Sequence, residues 1–470
     1  MNRRAHVRRT TSDSQLIIFS MGEFSLKKLT LLIVLSALLS FGATAQTHPS
    51  SQPVAGAAPV ATTTNIRQET FDIVWTTVKE KHFDPDLGGV DWDKVREQYQ
   101  PRMTAVKSDQ ELYTVLQNML GELHQSHFHI LTPESIVDDD SKEPKGGGVG
   151  LDIRLVDGQA IINRVEPGSK AFLAGLRPGF IIKKIDETPF DQVVERFSRS
   201  TESPAITRTR ITRAALARIE GKPGTTVRLT YLDEGDRTRE VTVEREKLKG
   251  EMSPRFGSFP PQYTEFESKR LEGGIGYIRF NIFVTPLMDR IRAAIRSMSE
   301  APGLIIDLRG NPGGFGGMAP GIAGVLEANQ SSLGVMKFRS GRQAFIVFPQ
   351  KDPYLGPVVI LVDGGSASTS EIFAAGMQEI GRAVVVGERT MGAALPSVFS
   401  KLPTGAVFQY AIADFRTPNG VLIEGLGVTP DLEVKLSRRG LLDGHDLQLE
   451  AAISVINQKH SRQQRVSAYR

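Results

Sequence analysis

The chain has 470 residues, of which 40% are apolar and 23% charged, a composition typical of a globular protein large enough for more than one domain. It contains no cysteine, which excludes disulfides, thiolate metal sites and cysteine-based catalysis. The formal charge of +4 arises in the first 45 residues, which carry six basic and two acidic side chains. The remaining chain is formally neutral and lacks the net positive charge typical of nucleic-acid binding.

The N-terminal segment has the pattern of a secretory signal peptide. A basic pair at residues 27–28 precedes an apolar run at 29–41 and a small-residue triplet that ends at Ala45. The apolar run is shorter than the about 20 residues that span a bilayer. We therefore expect a signal peptide at residues 1–45, no permanent membrane span, and a periplasmic or secreted protein. Met21 is an alternative start of the chain.

The rest of the chain divides into four stretches of different character. Residues 46–63 are rich in Ser, Pro, Ala and Thr, which predicts a flexible leader. Residues 64–140 repeat apolar side chains at helical spacing, which predicts a small helical domain. Residues 145–247 contain short β-branched runs between glycine turns, which predicts a β-rich domain. Residues 250–470 alternate strand and helix patterns and end in a helix. We therefore predict a multidomain α/β protein whose last domain has a largely parallel sheet.

Two segments of the last domain combine an apolar strand with a polar turn. In one, strand residues 358–362 lead to Ser366-Ala367-Ser368-Thr369-Ser370-Glu371 at the start of a helix, where free amides stabilise a developing anion. In the other, strand residues 304–308 run into a glycine loop that ends at Gly313-Gly314, whose amides could line an oxyanion hole. An ordinary helix cap and a tight turn are the simpler interpretations. The glycine loop lacks the Lys-Ser/Thr ending of a phosphate loop, so nucleotide binding is unsupported.

Together the two segments resemble the C-terminal processing peptidases and the tricorn core protease. In that family a Gly-Gly loop after an Asp-Leu-Arg strand faces a Ser-Ala-Ser-x-Ser-Glu turn, and the similarity continues through residues 381–390. The resemblance covers most of the chain and implies a serine peptidase that needs no metal or organic cofactor. It assigns the nucleophile to Ser368 and the oxyanion donors to the amides of Gly314 and Thr369.

The chain departs from the processing-peptidase branch at the catalytic base. Those enzymes carry a lysine in a Thr-x-Gly-Lys motif, whereas Thr390-Met391-Gly392 is followed here by Ala393. The glutamine expected four residues later is Ser397. A Ser-Lys dyad is therefore excluded at this position, and the Ser368 hydroxyl needs another base to react near neutral pH.

A replacement base is implied by a second resemblance, to the tricorn-type Ser-His motif. Ser126 and His127 match that motif at the end of the helical domain, which makes His127 the general base. The segment Ile423–Asp431 is similar to the one that carries the family's glutamate, so Glu424 would orient His127 directly or through Ser126. The expected activity is endopeptidase cleavage of unfolded or tail-exposed polypeptides through an acyl-enzyme.

The β-rich stretch resembles a PDZ domain. Gly148, Val149, Gly150 and Leu151 begin the similarity, which continues through residues 165–182. The resemblance implies that a substrate C-terminal tail adds as a strand beside these four residues, with its carboxylate on the amides of the glycine turn. A charged insertion at residues 192–210 precedes a candidate groove helix at 211–219. A β-rich module without a ligand is the alternative.

Three other interpretations of the site remain open. His124, His127 and His129 could bind zinc, although their spacing matches no familiar ligand set. His127 could instead be structural. The same fold also occurs in the interphotoreceptor retinoid-binding protein, so a non-catalytic peptide- or lipid-binding protein is a rival hypothesis. The joint presence of Ser126, His127, Ser368 and Glu424 favours the peptidase.

Overall fold

The computed structural model describes residues 60–133, 146–198 and 203–468. These residues belong to one compact unit that spans Ala58–Arg470. The expected signal peptide, its cleavage site and residues 46–59 of the expected leader lie outside the described residues. No helix in the described part of the chain is long and apolar enough to cross a membrane.

The N-terminal part consists of three helices and a short strand: α1 (Val60–Lys81), α2 (Trp92–Thr104), α3 (Asp109–Gly121) and β1 (His129–Leu131). Helix α1 begins at Val60, four residues before the predicted boundary at 64. No helical signal was visible at these positions because Val and Thr have only modest helix propensity. Helix α3 begins at the N-cap Ser108, whose side chain accepts a hydrogen bond from the Glu111 amide. The buried core of these helices also includes Leu402 and Phe408 from far along the chain.

The middle part is rich in β-structure, as the sequence pattern predicts. Its elements are β2 (Gly147–Gly148), β3 (Leu151–Val156), β4 (Gln159–Val165), α4 (Lys170–Leu173), β5 (Ile181–Ile185), β6 (Thr188–Pro189), α5 (Phe190–Glu195), α6 (Pro204–Ile219), β7 (Thr226–Leu232), β8 (Thr238–Glu244) and β9 (Glu246–Lys247). One sheet has the antiparallel order β3-β4-β5-β7-β8, with β6 paired to β5, and β2 pairs with β9. Strand β3 therefore lies at an edge of this sheet.

Helix α6 begins seven residues before the predicted groove helix. The side chain of Ser203 accepts a hydrogen bond from the Ile206 amide, and Pro204 occupies the first helical turn. Both residues favour a helix start at this point. Most of the described residues in the expected insertion at 192–210 are therefore helical.

The C-terminal part has the strand and helix alternation that the sequence predicts. Its elements are β10 (Glu251–Met252), β11 (Tyr263–Thr264), β12 (Phe266–Arg270), β13 (Gly276–Phe280), α7 (Thr285–Ser297), β14 (Leu304–Asp307), α8 (Met318–Ala323), β15 (Ser331–Phe338), β16 (Gly341–Val347), β17 (Val358–Val362), α9 (Thr369–Glu379), β18 (Val384–Gly387), β19 (Ser397–Lys401), β20 (Val407–Ala411), β21 (Ala413–Arg416), β22 (Leu432–Glu433), α10 (Arg438–Leu442) and α11 (Leu447–Ala468). The mixed α/β class, with helices and several sheets, is confirmed.

The central sheet has the order β12-β13-β14-β17-β18-β22. Strand β12 is antiparallel to β13, and each later neighbour is parallel to the one before it. Alternate strand residues are buried on opposite faces: Ile306 joins the core that contains α7 and α9, whereas Ile305 joins the core that contains α11. Burial on both faces explains the continuous apolar runs of these strands.

Two features of this architecture bring the candidate residues together. Strands β14 and β17 are parallel neighbours, so the loops at their carboxyl ends meet at one edge of the sheet. Strand β1 pairs antiparallel with β20, which in turn pairs with β19. The segment just before β1, which contains Ser126 and His127, is thereby attached to the C-terminal part of the chain.

Candidate active site

Ser368 is the N-cap residue of α9 and has an unusual backbone conformation. Its φ of 53° and ψ of −118° are sparsely populated by residues other than glycine. Two hydrogen bonds hold it there: its amide donates to the Ala393 carbonyl at 2.8 Å and to Glu371 Oε2 at 3.0 Å. Strained residues of this kind persist where the surroundings fix them, as they often do at active sites. The half-buried Ser368 is therefore held in one position by the loop at residues 390–394.

The glycine loop after β14 packs directly on this turn. Gly313 has a φ of 95°, and a Cβ built on it would lie 2.7 Å from both Ser368 Cβ and the Thr369 amide nitrogen. Real Cβ atoms do not approach other atoms so closely. These glycines fit a turn or an oxyanion loop by sequence, and the structure adds that Gly313 is required for the close approach of the two segments.

The peptide of Gly314 faces away from Phe283 and toward the helix start. The Phe283 amide donates to the Gly313 carbonyl and the Phe315 amide donates to the Phe283 carbonyl, each at 2.7 Å. These two bonds flank Gly314 and leave its own peptide groups on the other side. Its carbonyl accepts a hydrogen bond from Thr369 Oγ1 at 2.8 Å. The two residues expected to supply oxyanion donors are therefore neighbours.

Glu424, Ser126 and His127 form one hydrogen-bonded chain. Glu424 Oε1 accepts from the Ser126 amide at 2.8 Å, and Glu424 Oε2 accepts from Ser126 Oγ at 2.9 Å. Ser126 Oγ lies 2.7 Å from His127 Nδ1. The sequence left open whether Glu424 contacts His127 directly, and in the structure the contact runs through the buried Ser126.

The hydrogen bonds of Glu424 and Ser126 determine which nitrogen of the His127 imidazole carries the proton. A serine hydroxyl has one hydrogen, and Ser126 donates it to the Glu424 carboxylate. Ser126 Oγ can then only accept from His127, so His127 Nδ1 must be the protonated nitrogen. Nε2 is left with its lone pair, which is the form that a general base requires.

The imidazole of His127 is also kept neutral. His127 is half-buried with a φ of 62°, and burial lowers its pKa to about 4 because the charged form loses its hydration. Burial raises the pKa of Glu424, while hydrogen bonds from Ser126 and Ala394 oppose that shift. The histidine is thus uncharged at neutral pH, with Nε2 unprotonated.

Ser368 is connected to this chain by a single peptide group. The carbonyl of Ala393 accepts from the Ser368 amide at 2.8 Å, and the amide of the same peptide, on Ala394, donates to Glu424 Oε2 at 2.9 Å. Within the described residues, Ser368 Oγ forms no hydrogen bond to His127.

Glu371 is a site residue that the sequence analysis did not identify. It is fully buried, and its carboxylate accepts four hydrogen bonds at 2.5 to 3.0 Å, from Thr390 Oγ1 and the amides of Gly392, Ala393 and Ser368. Burial raises its pKa to about 7, and the hydrogen bonds oppose that shift. The Ser-x-x-Glu spacing from Ser368 was visible, but it is also the pattern of an ordinary capping box. Glu371 joins the nucleophile turn to the loop that replaces the family's lysine motif.

The remaining histidines do not converge on His127. His124 is exposed with a φ of 51°. His129 Nδ1 lies 3.5 Å from Gln117 Nε2 and from Arg210 Nη2, and burial with the nearby Arg210 lowers its pKa to about 3. No group of three or more His, Asp or Glu side chains in the described part of the chain could hold a metal ion.

The four expected peptide-binding residues lie at the junction of β2 and β3. Gly148 belongs to β2 and Leu151 begins the edge strand β3. The carbonyls of Val149 and Gly150 accept hydrogen bonds from amides of the following turn, Ala171 at 2.9 Å and Glu166 at 2.8 Å.

Comparison with known proteins supports the peptidase interpretation. Peptidase family S41 matches residues 274–434, and the Tricorn protease C1 domain matches residues 64–121. A carboxyl-terminal-processing protease from Synechocystis sp. is 28% identical over 391 residues, which cover 81% of this chain and 85% of the relative. The corresponding protein from Picosynechococcus sp. is 29% identical over 398 residues, which cover 82% and 88%.

Solved structures agree in fold. A photosystem II D1 C-terminal processing protease is 22% identical, covers 81% of this chain and 98% of its own, and superposes with a TM-score of 0.53. Mature CPAF is 14% identical, covers 85% and 98%, and has a TM-score of 0.61. The domain matches and the relatives identify the chain as a serine-type hydrolase, and the solved structures show a peptidase fold. Over most of its length the chain is similar to carboxyl-terminal-processing proteases, and it contains a Peptidase family S41 domain and a Tricorn protease C1 domain.

Proposed function

We propose that this protein is an exported serine endopeptidase that cleaves unfolded or tail-exposed polypeptides through an acyl-enzyme. The observation that carries the proposal is the chain Glu424–Ser126–His127, which shares a carboxylate with the peptide that holds Ser368. A non-catalytic binding protein has no chemical need for an imidazole held in the tautomer of a general base.

The proposed reaction begins with proton transfer. His127 Nε2 takes the proton of Ser368 Oγ while that oxygen attacks the scissile carbonyl carbon. The amides of Gly314 and Thr369 stabilise the negative charge that develops on the carbonyl oxygen. The imidazolium then gives its proton to the leaving amine, and the carbon–nitrogen bond breaks. Water, activated by His127, hydrolyses the acyl-enzyme and restores Ser368.

Ser126 and Glu424 have a supporting role in this scheme. The imidazolium that forms on His127 donates its Nδ1 proton to Ser126 Oγ, which is polarised by the Glu424 carboxylate. Because Ser126 is buried, this compensation is worth more than it would be in solution.

Substrate presentation is assigned to the β-rich part of the chain. We infer that residues 145–247 are a PDZ-like domain between a helical domain at 64–140 and a peptidase core at 250–470. The edge position of β3 supports strand addition beside Leu151, since one side of that strand pairs with no other described strand, and the turn of Gly148, Val149 and Gly150 directly precedes it. A substrate C-terminal tail is the proposed ligand. Export of the protein rests on the signal-peptide pattern of residues 1–45.

Labelling with a fluorophosphonate probe tests the proposal, because only an activated serine reacts quickly with it. We expect rapid labelling of the wild-type protein, loss of labelling in Ser368→Ala, and wild-type labelling in the control Ser299→Ala, which removes an exposed serine. Cleavage of an unfolded protein should follow the same pattern. Fast labelling at another serine, or none in a folded sample, would contradict the assignment of Ser368.

A further inference from the structure

Four phenylalanines form a partly exposed aromatic ridge: Phe256, Phe259, Phe315 and Phe399. The rings of Phe256 and Phe315 are 5.2 Å apart at 56°, and those of Phe259 and Phe399 are 5.1 Å apart at 68°. Phe256 and Phe259 face each other across a tight turn, with reciprocal amide-to-carbonyl hydrogen bonds at 3.2 and 3.0 Å. The two ring pairs are therefore joined through the backbone of this turn.

Both ends of the aromatic ridge lie on segments that hold the nucleophile. Phe315 follows Gly313-Gly314, and Gly313 packs against Ser368. Phe399 lies in β19, five residues after Ala394, whose amide binds Glu424. Two residues of chain cover at most about 7 Å, so the Phe315 Cα lies within roughly 11 Å of Ser368 Cβ.

The outer pair of the ridge is exposed without a structural need. Phe256 is 62% exposed and Phe315 is 45% exposed, and their ring contact is with each other. Large apolar side chains grouped at the surface of a protein commonly mark a binding site. The other pair is half-buried, and Phe259 packs against the core of the central sheet, which gives the ridge a rigid base.

We propose that the aromatic ridge binds an apolar side chain of the polypeptide substrate, aromatic or long aliphatic, within about three residues of the scissile bond. The distance follows from the spacing of about 3.3 Å per residue in an extended peptide. Aromatic rings pack favourably edge-on or offset against such side chains. This specificity site rests on the proposed function, since it takes the substrate to be a polypeptide cleaved at Ser368.

The test uses a series of peptides that differ at one position, with Phe, Leu, Asp or Lys placed in turn at each of the three residues on either side of the cleaved bond. In the wild-type protein, kcat/KM for Phe or Leu should exceed that for Asp by about tenfold or more at one of these positions, which corresponds to about 1.4 kcal/mol. Phe256→Ala should lower kcat/KM for the Phe and Leu peptides far more than for the Asp peptide, so that most of that preference is lost. The control Phe348→Ala removes a phenylalanine that is 61% exposed and lies outside the ridge, and it should leave the preference intact.

Two further measurements separate the ridge from the catalytic site and from folding. Fluorophosphonate labelling of Ser368 should proceed at the wild-type rate in Phe256→Ala, because the probe is too small to need the ridge. Phe256→Lys should shift the preference toward the Asp peptide, an effect that damage to the fold would not produce.

Binding can also be measured without turnover. The Phe peptide should bind Ser368→Ala about tenfold more tightly than it binds Ser368→Ala/Phe256→Ala, as followed by fluorescence anisotropy. Equal binding to the two proteins, equal loss of cleavage for Phe and Asp peptides, or a preference for the Lys peptide would overturn the proposal. Absence of labelling in the wild type would instead refute the proposed function. The binding measurement would still show whether the ridge binds the Phe side chain of the peptide.

Discussion

Glu424→Gln tests how the hydrogen-bonded chain works, because it changes the charge and leaves the size of the side chain nearly the same. An amide can place its oxygen toward Ser126 Oγ and the Ala394 amide, but its NH2 group then faces the Ser126 amide, which is also a donor. In the opposite orientation the NH2 group donates to Ser126 Oγ. That oxygen is then free to donate to His127 Nδ1, which moves the imidazole proton to Nε2.

Either orientation removes the compensation of the imidazolium, and the second one removes the base itself. In other serine peptidases the matching carboxylate-to-amide change lowers kcat by about 10⁴ through the wrong tautomer. We therefore expect kcat/KM to fall by about 10³ to 10⁴ here, equivalent to about 4 to 5.5 kcal/mol of transition-state stabilisation. Peptide cleavage and the rate of fluorophosphonate labelling should fall together in a variant that keeps its folded circular dichroism spectrum.

A double variant shows whether the groups act as one unit. Ser126→Ala breaks the same chain, so the combination with Glu424→Gln should be little worse than either change alone. If kcat/KM of Glu424→Gln stayed within tenfold of wild type, or if the losses simply multiplied in the double variant, Glu424 and Ser126 would not act together on His127.

Two other predictions follow from the geometry around Ser368. The labelling rate should fall in two steps with decreasing pH. The first, near pH 7, follows from the raised pKa of Glu371, because the protonated carboxyl group binds the Ser368 amide more weakly. The second, near pH 4, occurs as His127 becomes charged; a single step at about 6.5, the ordinary imidazole value, would contradict both assignments. Gly313→Ala should reduce the labelling rate at least a hundredfold, because its Cβ would lie 2.7 Å from Ser368 Cβ and from the Thr369 amide nitrogen. The control Gly158→Ala, at a similar φ of 76° and with no atom within 4 Å, should lower stability and leave activity unchanged.

The central sheet could be predicted from the sequence because its strands are buried on both faces. The apolar runs at 304–308 and 358–362 agree with β14 and β17 to within one residue, since helices cover these strands on each side and Asp307 is the one polar residue in either run. The strands of β15, β16 and β19 were not predicted. They are partly exposed and carry polar residues such as Lys337 and Gln343, so the alternation of apolar and polar residues that indicates a strand is weak.

The site shows a similar division. Side chains with distinctive chemistry, Ser368 and His127 above all, could be singled out by motif, and so could Glu424. The Ala393–Ala394 peptide could not, because it acts through backbone atoms that any residue other than proline supplies. The lowered pKa of His127 was equally inaccessible, since it depends on burial by segments far apart in the chain.

The β-rich part of the chain is also tied to the nucleophile turn, which bears on how substrate presentation and catalysis are divided. Arg154 of β3 donates from Nε to Asp363 Oδ2 at 3.0 Å, and Asp363 Oδ1 accepts from the amides of Gly310 and Gly365 at 2.8 and 2.9 Å. Burial opposes ionisation of Asp363, but Arg154 and these amides lower the pKa of its carboxyl below the ordinary value.

One carboxylate therefore joins the glycine loop to the serine turn, and its charge is balanced by a residue of the β-rich part. Removing one partner of a buried ion pair typically costs about 3 to 5 kcal/mol, because the other charge is left uncompensated. Helix α6 adds a second link, since Thr209 Oγ1 donates to the Gly364 carbonyl at 3.3 Å. Both links act on the turn that precedes Ser368. In the proposed function the β-rich part therefore has a second role beside substrate presentation, which is to support the turn that holds the proposed nucleophile.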